Sequence, residues 1–301
     1  MVNTFVFACN ALAGRSERQA LRLAESIRSF GGDYTQSPIW ILLPESEVSM
    51  VGDILSRLVP LDIRLVPFDN RLSLEDFPFA RKVAAAATAE ALAGGQTKFL
   101  VWMDPDSLLL QDPTPLLLPP DVSLGIRPVD HTLIGSVYEQ PIEPFWELVY
   151  SRCGVPPGMV YPMTTGIDQV QIRTYFNTGL VVTRPEKGLF QTWALFFEKL
   201  GRDPQFEALF QGNTLYRIFF HQAILSGAAL SILRSNEILE YPAHVNYPLH
   251  MHTLVSADRR PSHLDDLVTC RYDTFFEQAN WKMTLSGNGR LMSWLESILE
   301  T

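Results

Sequence analysis

The sequence predicts an α/β fold built around a mostly parallel sheet, and three observations support this. Short apolar runs alternate with longer helical patterns through the first third of the chain. The links between them are short, as they are when successive strands lie parallel and helices cover the sheet. Residues 99–103 are apolar throughout, which indicates a strand buried on both of its faces.

The predicted elements follow one another as strand, helix, strand, helix, strand, helix, strand. Gly31 and Gly32 end the first helix, because glycine is favoured just past a helix C-terminus. The third helix is rich in alanine, the strongest helix former. The predicted strands are residues 1–9, 39–43, 63–66 and 99–103, and the predicted helices are about 16–30, 47–58 and 79–93.

The second half of the chain has a less regular pattern, which predicts a mixed arrangement of strands and helices. No repeat or low-complexity linker separates the two halves, so we expect one domain over residues 1–301, with halves at 1–112 and 113–301. In this half we predict strands at 122–126 and within 174–183, and helices at about 144–152, 189–200 and around 219–225.

Composition excludes several classes of protein. The net charge is −9, from 24 basic and 33 acidic residues without a basic cluster, which argues against a nucleic-acid partner. Three widely spaced cysteines give neither a disulfide framework nor a zinc motif. There is no charged leader before the first strand, and no apolar stretch approaches the roughly 20 residues that cross a bilayer. We therefore expect a cytoplasmic protein without a transmembrane segment.

Asp104 and Asp106 follow the buried strand at 99–103 directly. Residues two apart in an extended chain point the same way, and Pro105 prevents this segment from continuing as a helix. Ligands of open α/β sheets bind at the carboxyl ends of strands, where both carboxylates should project. Paired carboxylates suit Mg²⁺ or Mn²⁺. The alternative is a polar turn in which Asp106 bonds nearby backbone.

Two later segments carry further polar residues in apolar surroundings. Asn177 and Gly179 interrupt the β-prone run at 174–183, which indicates either a bulge or the close approach of a ligand. His221 and Gln222 lie together in an apolar helical pattern, where a single histidine is more often structural than catalytic.

Together these segments resemble the GT-A fold nucleotide-sugar glycosyltransferases, most closely family 8, which includes glycogenin and galactosyltransferases. The resemblance spans about residues 1–235, and its order and spacing agree. It implies a Rossmann-related GT-A domain, with the nucleotide bound by residues 1–112 and the donor sugar and acceptor bound by 113–301. The segments that match are residues 79–81, 99–106, 176–179 and 221–222.

The resemblance also implies roles for particular residues. Asp104 and Asp106 would hold Mn²⁺ or Mg²⁺ against the diphosphate of the donor, and Arg81 would lie near the nucleotide or its phosphates. Asn10 and Ala11 would lie at the nucleobase and ribose of the donor, and Asn177 and Gln222 would face the donor sugar.

The chain departs from the family pattern at two places. His221 and Ala223 flank Gln222 where the family commonly has aspartates, so a carboxylate is missing near the donor sugar. Arg271 stands where the family has a metal-binding histidine. We favour His250 and His252 as replacement ligands, with His244 as a further candidate, whereas Arg271 could instead bind phosphate directly.

The function that follows is a metal-dependent, hexosyltransferase-like enzyme that moves a sugar from a nucleotide-diphosphate sugar, expected to be a UDP-sugar, to an unknown sugar, lipid or protein acceptor. The resemblance implies retention, whereas an inverting enzyme would need a base such as Asp130 or Asp168. One alternative is a nucleotide-sugar-binding protein without turnover. Another is a haloacid-dehalogenase-like phosphatase, although three predicted strands precede Asp104 where that fold places its aspartates after the first.

Overall fold

A computed structural model describes residues 2–11, 15–50, 59–69, 74 and 77–299 of the chain. Strands and helices alternate in the first part and then become irregular, as the sequence predicts. The strands are β1 Asn3–Asn10, β2 Ile39–Pro44, β3 Ile63–Phe68, β4 Thr97–Met103, β5 Ser107–Leu109, β6 Leu124–Ile126, β7 Pro162–Thr164, β8 Gln171–Arg173, β9 Leu180–Thr183, β10 Ile238–Glu240, β11 Tyr247–Pro248 and β12 Thr269–Arg271. The helices are α1 Arg15–Phe30, α2 Ala80–Ala93, α3 Pro144–Cys153, α4 Leu189–Leu200, α5 Pro204–Gly212, α6 Thr214–Ile232, α7 Trp281–Thr284 and α8 Gly289–Leu299.

The main sheet of the described residues has seven strands in the order β10-β6-β9-β4-β1-β2-β3. β1 pairs in parallel with β2 and β4, and β2 pairs in parallel with β3. β9 is antiparallel to both of its neighbours, β4 and β6. The predicted mostly parallel sheet is thus confirmed, and strands from both halves of the chain share it.

One predicted element differs from the structure. A 3₁₀ helix spans Glu45–Met50, so the α-helix predicted over 47–58 is wrong at its start, and its remainder lies outside the described residues. Within the run 174–183 the strand is Leu180–Thr183, which agrees with the predicted interruption at Asn177 and Gly179. The Asn177 side chain explains this break, because its Oδ1 accepts the N–H of Gly179 at 2.7 Å and holds the backbone in a local turn.

Apolar side chains cover both faces of the sheet. One face packs on α2, α3, α4 and α6, with Trp102 of β4 fully buried among them. The other face packs on α1 through side chains such as Phe7 and Val101. β4 lies between these two layers, which accounts for its uninterrupted apolar sequence.

A small second sheet brings the end of the chain back to the aspartates. Its order is β11-β12-β5, and Arg271 of β12 pairs with Ser107 of β5, next to Asp106. The N–H of Tyr272 then donates to the carbonyl of Asp106 at 2.9 Å. This pairing brings Arg271 to the edge where β4 ends.

In the part of the chain that the structure describes, no helix is both long and apolar enough to span a membrane.

Candidate active site

A cavity of about 660 Å³ opens at the carboxyl ends of β1 and β4, where the sequence predicts a ligand site. Its lining combines opposite charges with apolar surface, which suits a ligand that has both an anionic part and uncharged rings. The lining residues are Asn10, Phe77, Phe79, Ala80, Arg81, Lys82, Asp104, Pro105, Asp106 and Asp273. We refer to this space as the DxD cavity.

Asp104 is held in place by its backbone and its side chain. Its N–H donates to the carbonyl of Gly179 at 2.8 Å, which ties the end of β4 to the motif of Asn177 and Gly179. Its Oδ1 lies 2.6 Å from Lys82 Nζ. Lys82 also donates to Thr178 Oγ1 at 3.0 Å. One buried ammonium therefore connects α2, β4 and the segment before β9.

Sequence reasoning did not identify Lys82 as a site residue. Its side chain is only 6% exposed, although it lies in the first turn of α2. A signal was available, because Ala86, Ala89 and Ala93 follow Lys82 at helical spacing and are all buried. A lysine on the apolar face of a helix needs an anionic partner, and Asp104 supplies it.

Asp106 is partly buried and has an altered acidity. Burial and the charge of the neighbouring Asp104 raise the pKa of its carboxyl to about 6, while Arg271 and Lys82 act in the opposite direction. The two carboxylates thus carry negative charge that the nearby cations balance only in part. Such a pair fits a hard divalent cation, which commonly takes one or two protein carboxylates and completes its shell with water and phosphate.

The predicted histidine ligands are not arranged with this pair. His250 Nδ1 lies 3.3 Å from the carbonyl oxygen of Arg271, and His252 Nδ1 lies 2.9 Å from the Tyr247 hydroxyl. His244 is exposed on a different cavity. Within the described ranges, no three His, Cys, Asp or Glu side chains are grouped to hold a metal. Asp104 and Asp106 both line the DxD cavity, whereas His250 and His252 do not.

Arg271 and Asn177 belong to one buried polar network. Arg271 forms an ion pair with Asp130, and its Nε donates to Asn246 Oδ1 at 3.1 Å. Asn177 Nδ2 donates to Asp130 Oδ2 at 3.2 Å, and Asn246 Nδ2 donates to Asn177 Oδ1 at 3.2 Å. The charge of Arg271 also acts on Asp106. Gly179 leaves room for this network, since a Cβ there would lie 2.5 Å from Arg271 Cδ.

The other predicted residues are distributed around the cavity and the sheet behind it. Asn10 and Arg81 line the DxD cavity, and Arg81 Nη1 lies 2.7 Å from Glu47 Oε1. Ala11 is buried, and its N–H donates to the carbonyl of Leu42 at 2.9 Å. Gln222 is half-buried on α6, beside the buried His221.

Three non-glycine residues near this site have a left-handed backbone conformation. The φ angles of Phe79, Asn246 and Asp273 are 63°, 55° and 39°, in a region that residues other than glycine rarely occupy. Phe79 and Asp273 line the DxD cavity. The ring of Phe79 stacks on His221 with centroids 4.1 Å apart. Burial and the charge of Lys82 lower the pKa of His221 well below its ordinary value, so this stack contains a neutral imidazole.

The two carboxylates predicted as bases for an inverting reaction are both already bonded. Asp130 is buried and shared by Arg271 and Asn177. Asp168 lies 2.6 Å from His131 Nδ1 and accepts the N–H of Thr132 at 2.6 Å, bonds that lower the pKa of its carboxyl.

Comparison with known proteins identifies the family. The model of the Rhodobacterales glycosyltransferase domain matches residues 6–225, which is well over half of the chain. The match covers the main sheet except for β10 and the first three residues of β1. The chain belongs to this glycosyltransferase family. No curated protein sequence matches it.

Solved structures agree with the fold of this glycosyltransferase. The galactosyltransferase LgtC in complex with donor and acceptor sugar analogs is 17% identical, with a TM-score of 0.52, covering 89% of this chain and 86% of that one. Mouse xyloside xylosyltransferase 1 in its apo form is 9% identical, with a TM-score of 0.50, covering 90% and 97%. At these identities the likeness establishes the fold alone, which is GT-A.

Membership of a glycosyltransferase family removes the phosphatase alternative. It agrees with the topology, because Asp104 follows the fourth strand of the glycosyltransferase rather than the first.

Proposed function

We propose that this glycosyltransferase uses a nucleotide-diphosphate sugar, namely a UDP-sugar. The donor binds in the DxD cavity, with Mn²⁺ or Mg²⁺ at Asp104 and Asp106. The observation that carries the proposal is the juxtaposition, at one cavity, of two carboxylates with Lys82 and Arg81. A diphosphate needs positive charge around it, and a bridging cation needs carboxylates on its protein side. The cavity offers both.

The residues of the chain would act mainly by stabilising negative charge on the donor. Breaking the bond between sugar and phosphate leaves negative charge on the departing diphosphate, which fixed cations stabilise. Lys82 is held at Asp104, and Arg81 lies on the same wall, so each would face the diphosphate without a large movement. A bound divalent cation would add Lewis-acid stabilisation of the leaving group. Arg271 would favour the ionised form of Asp106, because its charge lowers the pKa of that carboxyl.

We further propose transfer of a hexosyl group with retention, to a sugar, lipid or protein acceptor. LgtC, whose structure contains donor and acceptor sugar analogs, is similar in fold. Asn177 and Gln222 are the residues we assign to the donor sugar, and Asn10 with Ala11 to the nucleobase and ribose. The bonds that already occupy Asp130 and Asp168 favour retention, since neither carboxylate is free to act as a base.

A binding protein without turnover is the second candidate. It is favoured by one observation, which is that His221 is buried, neutral and covered by Phe79 where the resemblance calls for a carboxylate. The two candidates share the binding site and differ only in turnover.

The experiment has two stages. Isothermal titration should show that UDP binds more tightly with Mn²⁺ than with a chelator, and that Asp104→Asn and Asp106→Asn each remove this difference. Unchanged affinity and metal dependence in both variants would refute the proposed site. Release of UDP from UDP-glucose and UDP-galactose then separates an enzyme from a binding protein, with Asp121→Asn as a control for an exposed aspartate away from the DxD cavity.

A further inference from the structure

A second cavity, of about 280 Å³, lies behind the polar network of the site. Asp130 lines it and is at the same time the partner of Arg271, whose charge acts on Asp106. One ion pair therefore separates this space from the DxD pair. Arg127 and Arg259 also line it, so we refer to it as the arginine cavity.

Arg127 is a buried cation whose bonding is incomplete. It is only 7% exposed. Its Nη1 donates to the carbonyls of Ala243 and Val245, each at 3.2 Å, while its Nε is buried without a hydrogen-bond partner. Among the described residues no carboxylate forms an ion pair with it, and Asp130 is engaged by Arg271 instead. A buried guanidinium bonded only to neutral carbonyls is costly unless an anion completes its bonding.

Arg259 adds a second cation on the same cavity. Its Nη1 donates to the carbonyl of Gly166 at 3.1 Å, its Nη2 donates to that of Ile167 at 3.4 Å, and its Nε donates to Ser256 Oγ at 2.9 Å. All three partners are neutral, so they orient the guanidinium without cancelling its charge. Glu240 is the other acidic group whose charge reaches Arg127, alongside Asp130.

Gly166 leaves space between the charged groups. A Cβ on this residue would lie 3.0 Å from Asp130 Oδ1 and 3.4 Å from Arg127 Nη2. The φ angle of Gly166 is not positive, so the backbone does not require glycine there. The missing side chain therefore keeps open the approach to Arg127.

We propose that the arginine cavity binds the anionic group of an acidic acceptor, a carboxylate or a phosphate carried on a sugar. This inference rests on the proposed function, and it names the class of acceptor that the glycosyltransferase takes. Arg127 and Arg259 bind the anion, and the Asp130–Arg271 pair lies between it and Asp106. A neighbouring cavity of about 240 Å³ shares Tyr247 and Arg259 with this one and gives room for the remainder of the acceptor.

The test measures binding by titration of the full chain with glucuronate, glucose 6-phosphate, inorganic phosphate and glucose, each with and without UDP. We expect glucuronate or glucose 6-phosphate to bind at least about tenfold more tightly than glucose, the difference expected for one charge-assisted hydrogen bond. The stronger of the two identifies the anion as a carboxylate or a phosphate. Equal affinities for the acidic sugars and glucose would overturn the proposal, and so would inorganic phosphate binding as tightly as the sugar phosphate.

Two variants locate the site. Gly166→Ala should weaken binding of the acidic sugar about tenfold by filling the space beside Arg127, while UDP affinity stays unchanged. Gly212→Ala is the matched control, because a Cβ there meets no atom within 4 Å. Arg127→Lys keeps a charge and should weaken binding as well. Acidic-sugar binding that survives Gly166→Ala would refute the site, whereas failure of the wild-type chain to bind UDP would refute the proposed function separately.

Discussion

The pair formed by Lys82 and Asp104 allows a quantitative test of how the site is held together. Lys82 Nζ and Asp104 Oδ1 are 2.6 Å apart, and the two side chains are 6% and 24% exposed. We predict that Lys82→Met destabilises the fold, because methionine matches the apolar stem of lysine but removes its charge and its hydrogen bond to Thr178. Asp104 is then left partly buried without its cation.

The expected size follows from burial and distance. Two unit charges at this separation attract by about 6 kcal/mol at an effective dielectric constant of about 20, and the cost of dehydrating them cancels much of this. Removing one partner of a buried pair typically costs about 3–5 kcal/mol, since the other charge remains buried. Asp104 keeps some contact with water, so we expect the lower end, about 3 kcal/mol.

A double-mutant cycle with unfolding in urea measures the coupling energy between Lys82 and Asp104. Lys82→Met, Asp104→Asn and the double variant are unfolded at pH 7, and the coupling energy is taken from the free energies of unfolding. We expect the double variant to lose about 2 kcal/mol less than the two single losses added together. Lys98→Met is the control, because Lys98 is exposed on β4 and should change stability by less than about 0.5 kcal/mol. A coupling energy below about 0.5 kcal/mol would show that the pair does not hold α2 to β4.

Variants at three further residues test other parts of the structure. Arg81→Ala should weaken UDP binding in titration about tenfold, and Arg81→Lys should restore it only in part, because an ammonium cannot make a bidentate contact; equal affinities in all three proteins would contradict its place at the phosphates. Burial raises the pKa of Glu90 from 4.5 to about 7, so the folded state binds a proton more tightly than the unfolded state and stability falls as pH rises from 4.5 to 7. Glu90→Gln should therefore gain about 3 kcal/mol at pH 8 and little at pH 4 in urea unfolding, and an equal effect at both values would refute this. Gly179→Ala should cost about 1–3 kcal/mol and weaken UDP binding, since its Cβ would lie 2.5 Å from Arg271 Cδ, whereas Gly212→Ala should do neither.

The sequence by itself determined the succession of strands and helices in the first third of the chain and the edge of the sheet at which Asp104 and Asp106 lie. Apolar runs and helical periodicity are local properties, and short links leave few topologies for alternating strands and helices. The position of Asp104 and Asp106 directly after the buried run 99–103 therefore predicts their place at a carboxyl edge. The segments around Arg81 and Asn177 indicated a glycosyltransferase, and the match over residues 6–225 confirmed that the chain belongs to a glycosyltransferase family.

Only the tertiary structure decided which charges meet. Lys82 bonds Thr178, 96 residues away, and Arg271 pairs with Asp130, 141 residues away. The pairing of β12 with β5 delivers Arg271 to Asp106, while the same segment keeps His250 and His252 bonded elsewhere. Spacing along a chain carries no information about such partners, because long-range pairing is set by the packing of whole elements and by the need to neutralise charge where they meet.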